Sequence, residues 1–229
     1  MSRIHSGGFP TRHAALLAET LRDVDHMANS TAQRAAADDQ CEVFIGPWRS
    51  HDAAQVAPVL REAGIAQICP AATWDGVDGV IRLVPPDSVV CAALVANAPE
   101  PLAVVAEHED YGRLLAGLLR EAGLEEKPGA EAFVYCGVAR NAPHGLFNGR
   151  RVYAFDGAQG FGDAHTRYLL PAVPREDWTD AEVLDLLPQV RDAGELAIRG
   201  DWDVPVPRRC GVWRPEGRGF SCVAVWEAP

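Results

Sequence analysis

Positive charge is scarce in this sequence. Lys and Arg together number 21 against 32 Asp and Glu, which gives a net charge of −11, and Lys127 is the only lysine. A chain this acidic repels phosphate backbones and anionic lipid, which argues against a nucleic-acid partner. Long apolar runs are missing as well. No stretch approaches the ~20 apolar residues of a membrane span, so we expect no membrane insertion.

The amino terminus, Met1–Pro10, lacks the apolar core of a secretory signal. The chain as written is therefore expected to be cytoplasmic. If a leader was trimmed from it, the expected location is extracytoplasmic.

Familiar catalytic and metal-binding signatures are also missing. The sequence contains no GxSxG, GxxxxGKS/T, GxGxxG or HExxH motif. Its 7 histidines have no ligand spacing, and its 6 cysteines form no CxxC pair and are expected to be mostly buried free thiols. The densest polar cluster, Glu107–Asp110, is either a solvated loop or a site for a metal or a proton shuttle. We predict no catalytic residue, no metal and no cofactor.

Apolar runs alternate with helix-like segments along most of the 229 residues, a pattern typical of α/β layered folds. Pro99 and Pro101 end a helix and suggest a boundary between lobes. We predict one lobe over residues 1–98, a second over 99–160, and a C-terminal part over 161–229 that crosses back between them. The predicted strands are 41–46, 65–69, 80–84, 102–106, 132–138, 151–155, 210–213 and 220–226, and the predicted helices 52–63, 89–97, 111–122 and 183–193.

Two consecutive strands are followed by loops rich in small and hydroxylated residues, Gly46–Ser50 and Pro70–Thr73. In an open parallel sheet such loops lie side by side at the carboxyl edge, where ligands bind. The hydroxyls of Ser50 and Thr73, with free N–H groups at a helix start, suit a carboxylate. The alternative is that Ser50 only caps its helix and the small residues only permit close packing.

The same segments resemble a known family. Val43–Thr73, Arg82–Ser88 and Ala103–Gly112, and more weakly Phe155–Gly157 and Gly200–Trp213, are similar to extracellular receptors of the leucine/isoleucine/valine-binding type. The resemblance implies a two-lobed α/β protein with the type I periplasmic binding protein fold, each lobe a mostly parallel sheet flanked by helices. The chain would be truncated relative to the family, its first strand and glycine loop absent or reduced to residues 1–20.

The resemblance also implies roles for individual residues. The ligand carboxylate would be held by Ser50, Thr73 and the backbone around Ala71 and Ala72. Tyr111 would face the ligand from the second lobe, and Asp156 would pair with its ammonium group. The side-chain end would be lined by Trp48, Arg49 and Trp74. Arg49 either favours an acidic ligand or is a solvated side chain stacked on Trp48.

Three functions follow as hypotheses. The first is non-catalytic binding of an amino acid or small carboxylate in a cleft between the lobes, as in ABC transporter substrate-binding proteins or a cytoplasmic sensor. The second is a degenerate relative that binds a partner protein, or itself, through an exposed sheet edge. The third is an enzyme on the same scaffold that uses His108, Glu109 or Cys69.

Overall fold

The computed structural model describes residues 3–8, 25–47, 49–107, 109–137, 150–155, 166–170, 192–193, 196–197, 200, 205–216 and 219–229. The chain divides into two compact units. The first unit comprises Met1–Pro86 and Trp178–Pro207, and the second comprises Asp87–Asp177 and Arg208–Pro229. None of the helices in the described ranges is long and apolar enough to cross a membrane.

A five-stranded parallel sheet forms the first unit, in the order β2-β1-β3-β4-β5. Helices α1 and α2 cover one face, where Phe44, Leu60 and Ile65 are buried together. The other face buries Val43, Ile45 and Ile68. Because both faces are covered, the strands appear in the sequence as continuous apolar runs. The elements are β1 Arg3–Ser6, β2 Asp25–Met27, α1 Ala32–Ala36, β3 Cys41–Ile45, α2 Ser50–Glu62, β4 Ala66–Cys69 and β5 Ile81–Arg82.

The first strand and its glycine loop are present and lie within residues 1–20, so the expectation that this part is absent is wrong, whereas its reduction to residues 1–20 is not contradicted. β1 lies between β2 and β3. Gly7 and Gly8 follow it, and a Cβ on Gly7 would overlap the carbonyl oxygen of Ser30. The strand has the sequence Arg-Ile-His-Ser, with a single apolar residue, so hydrophobic patterning could not reveal it.

A polar network satisfies β1 in its buried position. His5 is buried, with Nδ1 2.7 Å from Ser30 Oγ and Nε2 2.9 Å from Asp38 Oδ2. Arg3 donates to the same Asp38 oxygen and to Asp25. The Arg3 and His5 side chains of β1 therefore both have partners, which a buried polar group such as the His5 ring requires.

The second unit is a six-stranded sheet in the order β11-β10-β9-β8-β7-β6. Strands β6 to β9 are parallel, while β10 and β11 form an antiparallel hairpin added to β9. Two helices pack on one face of this sheet around Leu94, Leu115 and Leu119. The elements are α3 Asp87–Asn97, β6 Leu102–Ala106, α4 Asp110–Glu121, β7 Ala132–Cys136, β8 Arg151–Ala154, β9 Thr166–Leu170, β10 Arg209–Glu216 and β11 Gly219–Glu227. The fold class is α/β with mostly parallel sheets, as predicted.

The division between the units differs from the predicted boundary at residues 98 and 99. It falls before α3, because Val90, Cys91 and Leu94 of that helix share a core with Leu115 and Leu119. The prolines at 99 and 101 end the helix, but the strand that follows them belongs to the same unit. The C-terminal region is shared, with residues 208–229 in the second unit.

None of the six cysteines, all of which lie in the described ranges, forms a disulfide; five are buried, and Cys222 on β11 is exposed. Burial raises the pKa of the Cys69, Cys136 and Cys210 thiols to about 12. Buried thiols of this kind act as small apolar side chains.

Candidate ligand-binding site

The two predicted loops lie together at the carboxyl edge of the first sheet. β3 pairs with β4 in parallel, with Ile45 opposite Ile68. The Gly46 N–H then donates to the Ile68 carbonyl at 2.7 Å, which extends the pairing into the first loop. Gly46 has a φ of 105°, a conformation that favours glycine. Parallel pairing of adjacent strands thus brings the residues after β3 next to those after β4.

Ser50 joins the two loops. Its Oγ accepts hydrogen bonds from the backbone N–H groups of Thr73 at 3.1 Å and Trp74 at 3.2 Å. The expectation that Ser50 caps its own helix is wrong. α2 begins at Ser50, its N-cap residue is Arg49, and no side chain caps it. The hydroxyl is committed to a neighbouring loop 23 residues further along the chain.

These two hydrogen bonds determine which kind of partner the Ser50 hydroxyl can still bind. A serine hydroxyl has one proton and two lone pairs. Both lone pairs face backbone donors here, so any further partner of this hydroxyl has to bond to its proton. That partner has to be an acceptor, such as a carboxylate oxygen.

Thr73, Ala71 and Ala72 are buried in the second loop, and Thr73 is only 3% exposed. Ala72 packs with Ala53 of α2 and with Cys69 and Val77. Close packing, one of the two interpretations of these small residues, therefore applies to the Ala72 side chain. Its backbone carbonyl still accepts a hydrogen bond that shapes the loop.

Arg82 on β5 holds the second loop in place by hydrogen bonds to backbone carbonyls, a role that the sequence interpretation missed. The side chain is buried, with the residue 8% exposed. Nη1 donates to the Ala72 carbonyl at 2.8 Å, and Nη2 donates to the carbonyls of Trp74 at 2.9 Å and Val77 at 2.6 Å. The one available signal was an arginine within an otherwise apolar strand.

Gln67 on β4 is a second supporting residue that the sequence did not reveal. It is buried, and its Nε2 donates to the carbonyls of Gly46 at 2.9 Å and Ala53 at 3.3 Å. These bonds tie the end of β3 and the first turn of α2 to β4. The first loop is thus held by Gln67 and the second by Arg82.

Trp74 and Arg49 are the exposed members of the predicted set. Trp74 is 37% exposed, and its ring lies over Gly76, where a Cβ would run into it. Arg49 is exposed at the start of α2. Trp48 lies outside the described residues, so the proposed stacking of Arg49 on it stays a prediction.

The remaining predicted residues belong to the second unit. Tyr111 lies in the first turn of α4 and packs against the core of that unit. Asp156 lies outside the described residues. Their roles towards a ligand stay predictions.

The residues considered for an enzyme are placed less favourably. Cys69 is fully buried, and burial raises the pKa of its thiol to about 12, so the nucleophilic thiolate is scarce near neutral pH. Glu109 is the exposed N-cap residue of α4, and Asp110 is the first residue of that helix. His108 is not among the described residues. Within the described ranges, no three His, Cys, Asp or Glu side chains form a group that could hold a metal ion.

Comparison with known proteins finds similarity at the level of structure only. No family model and no curated protein matches the sequence. Among solved structures, a leucine-binding protein, LivK, of Thermotoga maritima matches with a TM-score of 0.61 at 14% identity, covering 99% of this chain and 99% of that one. A benzoate-bound ABC transporter solute-binding protein of R. palustris matches with a TM-score of 0.62 at 12% identity, covering 100% and 96%.

A third match is an ABC transporter substrate-binding protein of Desulfitobacterium hafniense in complex with Leu, with a TM-score of 0.59, 12% identity and coverage of 90% and 84%. Likeness at such identities shows the fold. The chain therefore has the two-lobed α/β fold of type I periplasmic binding proteins, which confirms the fold implied by the sequence resemblance.

Proposed function

We propose that this protein binds a small carboxylate ligand, without transforming it, at the loops after β3 and β4. One observation carries the proposal. The Ser50 Oγ accepts hydrogen bonds from the N–H groups of Thr73 and Trp74, and in the proposal its proton is donated to an acceptor on the ligand. A carboxylate oxygen is the strongest acceptor among common metabolite groups near neutral pH.

The electrostatics of the loops favour the same ligand. α2 starts at Ser50, and the amino end of a helix carries partial positive charge and free N–H groups. Arg82 places a full positive charge directly behind the second loop. The net charge of −11 belongs to the whole chain and does not prevent a local positive potential at this edge.

The structural neighbours support the carboxylate as the recognised group. Four of the matching structures were solved with leucine, isoleucine, benzoate and 4-hydroxybenzoate, compounds that share a carboxylate. We carry over only this shared group. In the proposal Thr73 adds a second hydroxyl, Trp74 and Arg49 contact the rest of the ligand, and Asp156 pairs with the ammonium group if the ligand is an amino acid.

Thermal unfolding with added ligand tests the proposal. The panel is L-leucine, L-glutamate and benzoate, with benzamide as the neutral counterpart of benzoate. A true ligand at 100 times its Kd adds about 2.7 kcal/mol to the free energy of unfolding. We expect at least one carboxylate to stabilise the protein and benzamide to have no effect.

Two variants connect the stabilisation to the site. Ser50→Ala should weaken binding roughly tenfold or more, because a hydrogen bond to a charged group is lost. Thr31→Ala removes a hydroxyl that caps α1 in the same unit, so it should lower stability and leave affinity unchanged. No stabilisation by any carboxylate, or equal affinity in Ser50→Ala, would contradict the proposal.

A second candidate function is association through a sheet edge. β11 is the edge strand of the six-stranded sheet, and Val223 and Val225 on it are exposed, Val225 by 57%. A long apolar edge strand is a template for pairing with another chain. Sedimentation velocity over a range of concentrations, with Val225→Lys as the variant, should show association that the lysine reduces. A monomer at every concentration would exclude self-association.

A further inference from the structure

We propose that Arg82 is a positioning residue that makes the Ser50 hydroxyl an anion receptor, acting through the peptide group between Ala72 and Thr73. This inference rests on the function proposed above and adds to it a residue that need not touch the ligand. It assigns a task to the buried arginine of β5.

The geometry places Arg82 and Ser50 at opposite ends of one peptide group. The carbonyl oxygen of Ala72 accepts from Arg82 Nη1 at 2.8 Å. The N–H of that same peptide group, which belongs to Thr73, donates to Ser50 Oγ at 3.1 Å. Guanidinium, peptide and hydroxyl therefore form one continuous chain of hydrogen bonds, and bonds in such a chain polarise one another.

The direction of the polarisation favours an anion. The guanidinium draws electron density towards the Ala72 carbonyl oxygen, so the Thr73 N–H becomes a stronger donor to Ser50 Oγ. The Ser50 oxygen in turn gives up density, and its own proton becomes a stronger donor to whatever it meets. A carboxylate is the partner that gains most from this.

The charge of Arg82 is not cancelled by its acceptors. The three hydrogen bonds that link this guanidinium to described residues go to backbone carbonyls, which carry no net charge. The residue is 8% exposed, so water screens its charge only weakly. A positive charge in this position acts on the loop and on any anion in front of it.

Arg82 also holds the loop through Trp74. The N–H of Trp74 donates to Ser50, and the carbonyl of Trp74 accepts from Arg82 Nη2. The planar guanidinium reaches carbonyls spread over residues 72–77, which the single ammonium of a lysine cannot match. The ligand-binding geometry is therefore set before a ligand arrives, which lowers the cost of binding.

The first test needs no ligand. Amide NMR of the whole chain would follow the Thr73 and Trp74 protons in wild type, Arg82→Lys, Arg82→Met and Ser50→Ala. Weakening of the Thr73 bond should move its amide proton upfield and speed its exchange with solvent by roughly tenfold in both Arg82 variants. Amides of β1 and β3 report whether the unit that holds Arg82 is folded in each variant. If Arg82→Met does not fold, the result of Arg82→Lys decides.

Arg61→Met is the matched control. Arg61 on α2 is exposed and donates through Nη2 to the carbonyl of Asp78 at 2.7 Å, just beyond the same loop. Removing it should leave the Thr73 amide where it is. An unchanged Thr73 amide in folded Arg82 variants, or an equal change in Arg61→Met, would overturn the proposal.

The second test is a double-mutant cycle with benzoate and L-leucine as probes. Arg82→Lys should weaken binding roughly tenfold when Ser50 is present and much less in the Ser50→Ala background, because the two residues act as a unit. If the losses of affinity in the two single variants add up in the double variant, the proposed link from Arg82 to Ser50 is wrong. If wild type binds neither probe, the proposed function fails for these ligands, while the amide measurement still decides the role of Arg82.

Discussion

The two units bury different kinds of side chain. Among the described residues, the buried polar side chains of the first unit are His5, Ser6, Ser30, Gln67, Thr73 and Arg82, and the second unit adds only Asp87. The second unit instead holds the largest apolar cluster, built from both helices and the sheet. Buried polar groups cost free energy unless they are paired, so their concentration in one unit indicates a task other than stability.

That task is visible in what the polar residues contact. Gln67 and Arg82 donate to backbone carbonyls of the two loops that also meet at Ser50. His5 lies in the same unit but supports β1 and the segments around it. The buried polar side chains of the first unit therefore position loops, whereas the second unit buries mainly an apolar core. Four predictions test this difference between the two units.

Leu119→Ala should have the largest effect on stability. Leu119 is fully buried in the core of the second unit, and such a truncation costs about 2–5 kcal/mol through lost burial and the cavity left behind. Denaturant unfolding measures it, with the partly buried Leu118→Ala as a milder control. Affinity for any carboxylate ligand should be unchanged in the folded variant. A loss of affinity without unfolding would contradict the separation of roles.

Gln67→Met should have a smaller effect on stability and a clear one on binding. It leaves the carbonyls of Gly46 and Ala53 without their side-chain donor, at a cost of about 1–3 kcal/mol. Ligand affinity should fall as well, because the first loop loses its anchor. Gln55→Met, on the exposed side of α2, should change neither property. Equal behaviour of the two variants would mean that Gln67 does not support the site.

Asp38 should make the first unit sensitive to acid. The Arg3 guanidinium and His5 hold the pKa of its carboxyl well below the usual value of 3.8. Because the folded pKa is the lower one, this stabilisation is complete above pH 3.8 and is lost progressively as the pH falls below it. Urea midpoints should drop less below that pH in Asp38→Asn than in wild type. The exposed neighbour Asp39→Asn should behave like wild type.

Cys222→Ser should have the smallest effect on stability, within about 0.5 kcal/mol, since the side chain is exposed. Thiol labelling of folded protein should be fast at Cys222 and slow at the five buried cysteines. In the serine variant the fast phase should disappear. A fast phase that survives would show that one of the buried thiols is accessible.

Apolar runs predicted most of the framework. The strands around Val43, Ile68, Val104 and Val134 could be read from the sequence, because parallel strands covered on both faces need continuous apolar residues. β1 could not, because its burial depends on partners at Ser30 and Asp38 that patterning does not show. For a similar reason, helix α3 was predicted to belong to the first lobe, although its buried residues join the core of the second unit. Its proline boundary was visible, but the core it joins was not.

The residue types of the two loops were predicted from the sequence, but the hydrogen bonds that connect the loops were not. Ser50 and Thr73 stood out as hydroxyls after neighbouring strands. A serine before a helix is also the commonest cap, and nothing in its local sequence shows that its lone pairs go to another loop. Arg82 and Gln67 gave only the weak signal of a polar residue within an apolar strand.

The sequence by itself determined the α/β class, the order of most elements and the chemical types at the loops after β3 and β4, because these depend on local patterning and on the directionality of parallel sheets. Only the tertiary structure decided that Ser50 serves the second loop instead of its own helix, that Arg82 stands behind that loop, and that α3 belongs to the second unit. Each of these depends on contacts between residues distant in sequence, and a hydrogen bond is defined by position in space, which local sequence does not encode.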